Sequence, residues 1–418
     1  MNSIKLQFGD VTRKRIVTPN EFVSHMIEHI VWRLGMSVEL ESKDQNWREL
    51  GKALGSKIGE SPLLQENSAA FGMIDDGSAE VVIDTKEASL RMGASKSIDM
   101  KWFLGSRCEQ LKDGSPLVDL LEGLSEGLSA GISITIVSVE DPHHTWEGVF
   151  RAVGIALSRL YTPREDVSAA RERIARDAMT FERGPEGELE VLARSLNEAT
   201  VRRGTAESGV TVRVSFTDKK TAKPWKIEVA ESIRESTRDV QKLLGQLADE
   251  AGFALDVEFK AKILSSSHVV MEDVGLVTGR ALLEVLKLRM EKYGVNGAGS
   301  NVQTPEDVGG NAVSVALSVE GRKCWRFVSS DGDIKALKEK FLIGQNVLGT
   351  LRSEDLDDFI DGLTGGMTAS AMVYLKEYEN ADETWQKVFR GLGKALREVF
   401  DINPYRRGVP PGVKATLA

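Results

Sequence analysis

An α+β fold of four related small units, two in each half of the chain, is what the sequence predicts. The strongest observation is an internal repeat. Residues 143–157, HHTWEGVFRAVGIAL, align with residues 382–396, DETWQKVFRGLGKAL, at Thr-Trp, Val-Phe-Arg, Gly and Ala-Leu, an offset of 239. Duplication accounts for that many matches in register. A weaker repeat joins residues 268–282, HVVMEDVGLVTGRAL, to residues 44–54, DQNWRELGKAL, through an acidic residue and a following pattern of Leu/Val, Gly and Ala-Leu. The third observation is the mixture of short segments with helical and with strand period.

Taken in order, residues 19–34, PNEFVSHMIEHIVWRL, predict an amphipathic helix that starts near Pro19-Asn20 and stops at Gly35. MSVELES then alternates as a strand, and AEVVID (79–84) and ISITIVSV (132–139) are further strands. VFRAVGIALSRL, which follows HHTWEG, has helical period. Residues 163–208 are highly charged and helix-prone, broken at Gly184-Pro185, and read as a connector without a core of its own. In the second half FALDVEFKA, AVSVALSV and KCWRFVS are the strands, and Gly294 to Gly299 is a loop without the order of a phosphate-cradling fingerprint. The expected division is therefore 1–162, a connector 163–208, and 209–418.

Bulk properties narrow the function. The 418 residues are 41% apolar and 28% charged, as in an ordinary globular protein of two or three domains. Cys108 and Cys324 are the only cysteines and lie far apart, which excludes a disulfide framework and a Cys-rich metal site. A reducing, cytoplasmic setting is the expectation. No apolar run reaches the ~20 residues of a membrane span, and the N-terminus lacks the apolar stretch of a signal peptide. A net charge of −9 without a long basic tract argues against nucleic acid as partner.

The five histidines are His25, His29, His143, His144 and His268. In His143-His144-Thr145-Trp146-Glu147, both imidazoles fall three or four residues before the carboxylate, so a helix puts them on one face. Two imidazoles and a carboxylate suit zinc, manganese or iron. The alternative is a polar helix cap with solvated histidines. The repeat sharpens the choice. Asp382, Glu383 and Gln386 stand in the second copy where the first has His143, His144 and Glu147. In the weaker repeat the order reverses: His268 and Glu272, spaced i and i+4, are in the second copy, and Asp44, Gln45 and Arg48 are in the first. Ligand types alternate between the copies.

With these segments in view, the chain resembles the imidazoleglycerol-phosphate dehydratase family, one complete subunit to each half. FVSHMIEH (22–29), SAAFGMIDDGSAEVVID (68–84) and HHTWEGVFRAVGIAL carry the likeness in the first half, and SHVVMEDVG (267–275) and the terminal PGVKATL (411–417) in the second. The resemblance implies two tandem dehydratase-like domains, each a pair of ribosomal-S5-like units. It implies a hydro-lyase of histidine biosynthesis that dehydrates a small phosphorylated imidazole-type substrate. Two manganese ions, for which zinc or iron could substitute, would sit at subunit interfaces of a homo-oligomer. One ion would take His268, His143 and Glu147; the other would take His25, His144 and Glu272. Glu147 or Glu272 would also act as general acid/base. Arg151, Arg322, Arg390 and Lys414 match phosphate-binding positions.

The chain departs from the family pattern at several places. Leu120 and Phe359 stand where a further histidine is expected, and Lys242 takes the place of His25 in the second half. Gly297 and Glu66 replace an arginine, and Glu87 falls opposite Arg322. A catalytically degenerate paralogue with a structural or assembly role, or a metal-dependent enzyme with another substrate, are therefore the rival expectations. Trp146, Trp385, Met26, Met36 and Met73 are expected in the core, and His29 outside the ligand set.

Overall fold

A computed structural model describes residues 3–164, 167–177, 189–217, 225–262 and 267–412. The chain divides into two compact units. The first comprises residues 1–164 with the short returns 330–332 and 403–409, and the second takes the rest.

In the first unit the order is β1 (Ser3–Phe8), β2 (Lys14–Val17), α1 (Glu21–Leu34), β3 (Met36–Glu41) and α2 (Trp47–Gly59), then β4 (Asn67–Ile74), β5 (Gly77–Asp84), β6 (Ser89–Ala94), α3 (Met100–Gly105), α4 (Ser115–Leu128), β7 (Gly131–Ser138) and α5 (Pro142–Tyr161). Its sheets run β1-β3-β2 and β4-β5-β7-β6. The predicted first helix is α1, capped by the Asn20 side chain on Val23 N–H and ended by Gly35 at φ 74°. That left-handed backbone is easy for glycine and closes the helix.

The second unit runs α6 (Val167–Asp177), β8 (Leu189–Arg194), β9 (Glu198–Gly204), β10 (Ser208–Ser215), β11 (Lys226–Glu228), α7 (Arg234–Ala251), β12 (Ala254–Ala261) and α8 (Ser267–Tyr293). There follow β13 (Ala298–Asn301), α9 (Pro305–Val308), β14 (Val313–Ser318), β15 (Cys324–Ser329), α10 (Ile334–Leu337), β16 (Asn346–Val347), β17 (Leu351–Arg352), α11 (Ser353–Met367), β18 (Ser370–Leu375) and α12 (Ala381–Val399). The larger sheets are β11-β12-β10-β9-β8 and β13-β14-β18-β15.

One connection scheme recurs four times. In each case the strand after a long helix lies parallel to a strand that precedes that helix and antiparallel to an earlier one. β3 does so with β2 and β1, and β7 with β6 and β5. β12 does so with β11 and β10, and β18 with β15 and β14. A parallel pair needs a crossover, which the helix supplies. The α+β architecture of four half-domains is thus present.

The stretch 163–208 departs from the expected connector. Part of it lies outside the described residues, but β8 and β9 fall in it and pair into the sheet of the second unit, with Val191, Ala199 and Val201 fully buried. Glu190 and Arg202 pair on the solvated face, while Arg194 and Arg203 point to α8 and pair with the buried Glu284 and Asp273, so charge on both faces masks the alternation in composition.

Glycines set the closest helix contacts. Gly51 and Gly55 on α2 face Gly123 and Gly127 on α4, and Gly275 and Gly279 on α8 face Gly362 and Gly366 on α11. A Cβ at Gly123 would stand 1.9 Å from the Arg48 carbonyl oxygen. Trp146 and Trp385 are fully buried, one stacked on Phe103 at 5.0 Å and the other on Phe341 at 4.6 Å. Met26, Met36 and Met73 are buried as expected. Among the described residues, no helix is long and apolar enough to cross a membrane.

Candidate metal centre

α1 and α5 lie side by side in the first unit, and Gly154 lets them approach. A Cβ there would meet the His29 carbonyl oxygen and the Arg33 Cβ at 2.9 Å and the Ile30 Cα at 3.0 Å. This contact brings one face of α1, carrying His25 and His29 a turn apart, onto Glu147 of α5. The Glu147 Oε1 is 2.7 Å from His25 Nε2 and 3.4 Å from His29 Nε2. His143 Nε2 also lies 3.4 Å from it. Three imidazoles therefore address one carboxylate oxygen. Glu147 and His29 form the buried floor, whereas His25 and His143 are partly open to solvent.

The start of α5 is fixed by Asp141, whose carboxylate accepts from His143 N–H at 2.8 Å. Pro142 follows at the first helical position, where its missing N–H costs nothing. Asp141→Ala is expected to cost about 1 kcal/mol, seen as a lower melting temperature with the helix content retained. His143 is held from outside by Glu109, 2.7 Å from its Nδ1. Glu109 sits at φ 49°, a left-handed backbone that non-glycine residues seldom adopt.

Charge states follow from burial and partners. Hydrogen bonds to Glu147 and Glu28 hold His25 protonated up to about 9. Burial disfavours the ionised Glu28, but hydrogen bonds from His25 and Lys14 outweigh it and bring its carboxyl to about 2. Burial drives His29 down to about 4 despite its hydrogen bond to Glu147. His29 is thus a neutral imidazole at ordinary pH, the form that binds metals.

The remaining expected ligands are placed differently. His144 turns from this cluster to the β4–β5 turn, with Nδ1 2.6 Å from Asp76 Oδ1 and Nε2 3.6 Å from Asp75 Oδ2. The first unit therefore groups His25 with Glu147 and His143, not with His144. In the second unit His268 Nδ1 is 2.6 Å from Asp358 Oδ2, and its Nε2 is 3.7 Å from Glu272 Oε2. One ligand atom each from His268, Asp355 and Asp358 lie within 4.8 Å of one another, as do those of His25, His29 and Glu147. The second group is far more exposed, with 53% of the His268 side chain open.

The degenerate positions have become structural. Arg48 pairs with Glu122 at 3.1 Å and with Glu126. Asp382 accepts from the Leu348 N–H and from Gln386 Nε2, both at 3.0 Å. Glu383 accepts from Asn311 at 2.9 Å and pairs with Lys387 at 2.6 Å. Of the phosphate candidates, Arg322 and Arg390 are exposed, Arg151 is buried, and Lys414 lies outside the described residues.

Sequence reasoning left out His29, Glu109, Asp75 and Asp76. His29 had a signal, its i,i+4 spacing from His25 on a predicted helix. Glu109 and Asp76 had none, since loops far away in sequence present them.

The donor set fits a divalent ion. Imidazole nitrogens and a carboxylate oxygen crowd together, and one imidazole and the carboxylate are taken fully out of water. The chain is also similar to one family of known proteins. The sequence model of the imidazoleglycerol-phosphate dehydratase family matches residues 238–396. The imidazoleglycerol-phosphate dehydratase of Leuconostoc mesenteroides is 24% identical over 213 residues, which cover 50% of this chain and 94% of that protein. That of Streptococcus thermophilus is 26% identical over 167 residues, covering 40% and 77%. Among solved structures, the Pyrococcus furiosus protein in complex with (S)-C348 is similar at 22% identity and a TM-score of 0.37, over 52% of this chain and 99% of that one.

Proposed function

We propose, on the premise that the chain is a relative of the imidazoleglycerol-phosphate dehydratase family, that it is a metal-dependent hydro-lyase. Its substrate would be a small phosphorylated molecule of the imidazole type, as in histidine biosynthesis. The observation that carries this reading is the convergence of His25 and His143 on the buried Glu147. These residues would hold a divalent ion, manganese by resemblance, with zinc or iron also suited to mixed N and O donors. His268 and Glu272 of the second unit would supply ligands to a second ion. When bound, such ions stabilise negative charge that develops as a C–H proton leaves.

The chain's own residues bind, orient and move protons. Glu147 already shares a proton with His25 at 2.7 Å, a pair suited to proton transfer. Glu272 is an exposed carboxylate on α8 that can serve as the second acid/base. Arg322 and Arg390, both exposed, offer guanidinium forks to a phosphomonoester. Arg151 is buried beside His29 and acts through its charge, which opposes protonation of that imidazole.

The test combines metal content with turnover. Elemental analysis of the purified chain should find bound divalent metal, and His143→Ala and His268→Ala should each lower it, although they lie in different units. Imidazoleglycerol phosphate should be dehydrated by the wild type. A chain that holds no metal sinks the proposal. Bound metal without turnover moves it to another substrate, or to a paralogue retained for self-association into an oligomer, which light scattering would detect.

A further inference from the structure

We infer that His29 is itself a metal ligand, so that the first unit alone carries a cation site: His25, His29 and Glu147, whose ligand atoms already lie within 4.8 Å of one another, with His143 joining from the rim when an ion binds. The inference rests on the metal-dependent reading above and changes its ligand set. Three distances bear on it. Glu147 Oε1 is 2.7 Å from His25 Nε2, the length of a strong charge-assisted hydrogen bond. Its distances to His29 Nε2 and His143 Nε2 are both 3.4 Å, long for a hydrogen bond. In a tetrahedral site with metal–ligand bonds of about 2.0–2.1 Å, neighbouring ligand atoms stand about 3.4 Å apart. Two of the three separations already have that value, and the third has the value expected when a proton joins the ligands instead.

The protein context favours the same conclusion. One protonated imidazole neutralises Glu147, so His25 suffices for charge balance. A second and third imidazole on the same oxygen add nothing that the pair requires. His29 is nevertheless fully buried, with its Nδ1 enclosed and without a hydrogen-bond partner. Burying a polar ring so poorly bonded costs free energy, and such a cost persists where the ring has another task. The pair His25 and His29, i and i+4 on one helix, is a bidentate imidazole set like that of other helical metal sites. His29 and Glu147 make the floor, and His25 and His143 the open rim through which an ion can enter.

The full chain, stripped of metal and titrated with cobalt(II), tests this. The wild type should take up a first equivalent with the visible ligand-field absorption of a nitrogen-rich site. His29→Gln should weaken that equivalent at least tenfold and alter the spectrum. His268→Ala should leave the first equivalent and its spectrum unchanged and affect only the second. Should His29→Gln fail to fold, X-ray absorption on the wild type with one equivalent of cobalt decides, three imidazoles being expected and two or fewer overturning the inference. Equal affinity and an unchanged spectrum in a folded His29→Gln would also overturn it, as would loss of the first equivalent in His268→Ala. If the wild type binds neither cobalt, manganese nor zinc, the metal-dependent reading itself falls.

Discussion

Glu147→Gln is expected to lower divalent-metal affinity at least ~100-fold, because even residues behind a ligand are worth ~10–100-fold and Glu147 is proposed as the ligand itself. Turnover should fall by at least ~10³, given that a positioned acid/base contributes ~10²–10⁴. The fold should survive, since the amide has the shape of the carboxylate and the site is already held by Asp141, Gly154 and Glu109. A second readout isolates the electrostatics. Without Glu147, the His25 titration should drop from about 9 towards the ordinary histidine value, measured by NMR on the metal-free protein. The sign follows from linkage: the folded value is raised, so the pair stabilises the metal-free fold fully below pH 6.5 and ceases to do so as the pH climbs through about 9. The chain contains its own control. Gln386 already occupies this place in the second copy, where it donates to Asp382. Gln386→Ala should leave metal content unchanged. If Glu147→Gln retains its metal, the centre lies elsewhere.

What the sequence disclosed and what it hid divide along physical lines. The ends of α1 were legible because Asn20 and Gly35 each do something only a few residue types do well. The position and face of α5 were legible from its period and from its copy at α12. Burial of Trp146 and Trp385 followed from their recurrence at matched places. By contrast, β8 and β9 were hidden by charge on both faces, since Arg194 and Arg203 sit among the inward residues and pair with the buried Glu284 and Asp273, although Val191, Ala199 and Val201 are buried. The grouping of ligands was only half legible. Helical spacing shows which side chains share a face, but which helix lies opposite depends on Gly154, whose role appears only once α1 and α5 are packed. His29 has no counterpart in the family motif, so the motif alone does not single it out. The family match itself, residues 238–396, falls on the half that holds His268 alone of the five histidines.

Gly123→Val is expected to destabilise the first unit by roughly 3 kcal/mol or more, the upper end for overpacking. The reason is what the new Cβ would meet. At Gly123 it would stand 1.9 Å from the Arg48 carbonyl oxygen, 2.7 Å from its carbon and 2.8 Å from the Lys52 nitrogen, all backbone of α2. A side chain can rotate away, but a helical backbone moves only with its whole helix. Moving α2 would open the seam of Leu50, Leu54, Leu120 and Leu124, all buried, and a cavity there costs on its own account. The exposed pairs of Arg48 with Glu122 and Glu126 would offset little of this. Gly59→Ala, on the facing helix α2, is the control. Its Cβ would meet only the Gly127 oxygen, at 3.9 Å, and the better helix former should stabilise by up to ~1 kcal/mol. The same reasoning applies at Gly366 of the second unit, where a Cβ would stand 2.1 Å from the Leu276 oxygen. Thermal melts of the two variants, with hydrogen exchange along α2 and α4, measure the effect. A Gly123→Val chain that melts with the wild type would mean that this seam is not the close contact described. The shared spacing of four between paired glycines in both units would then owe nothing to packing.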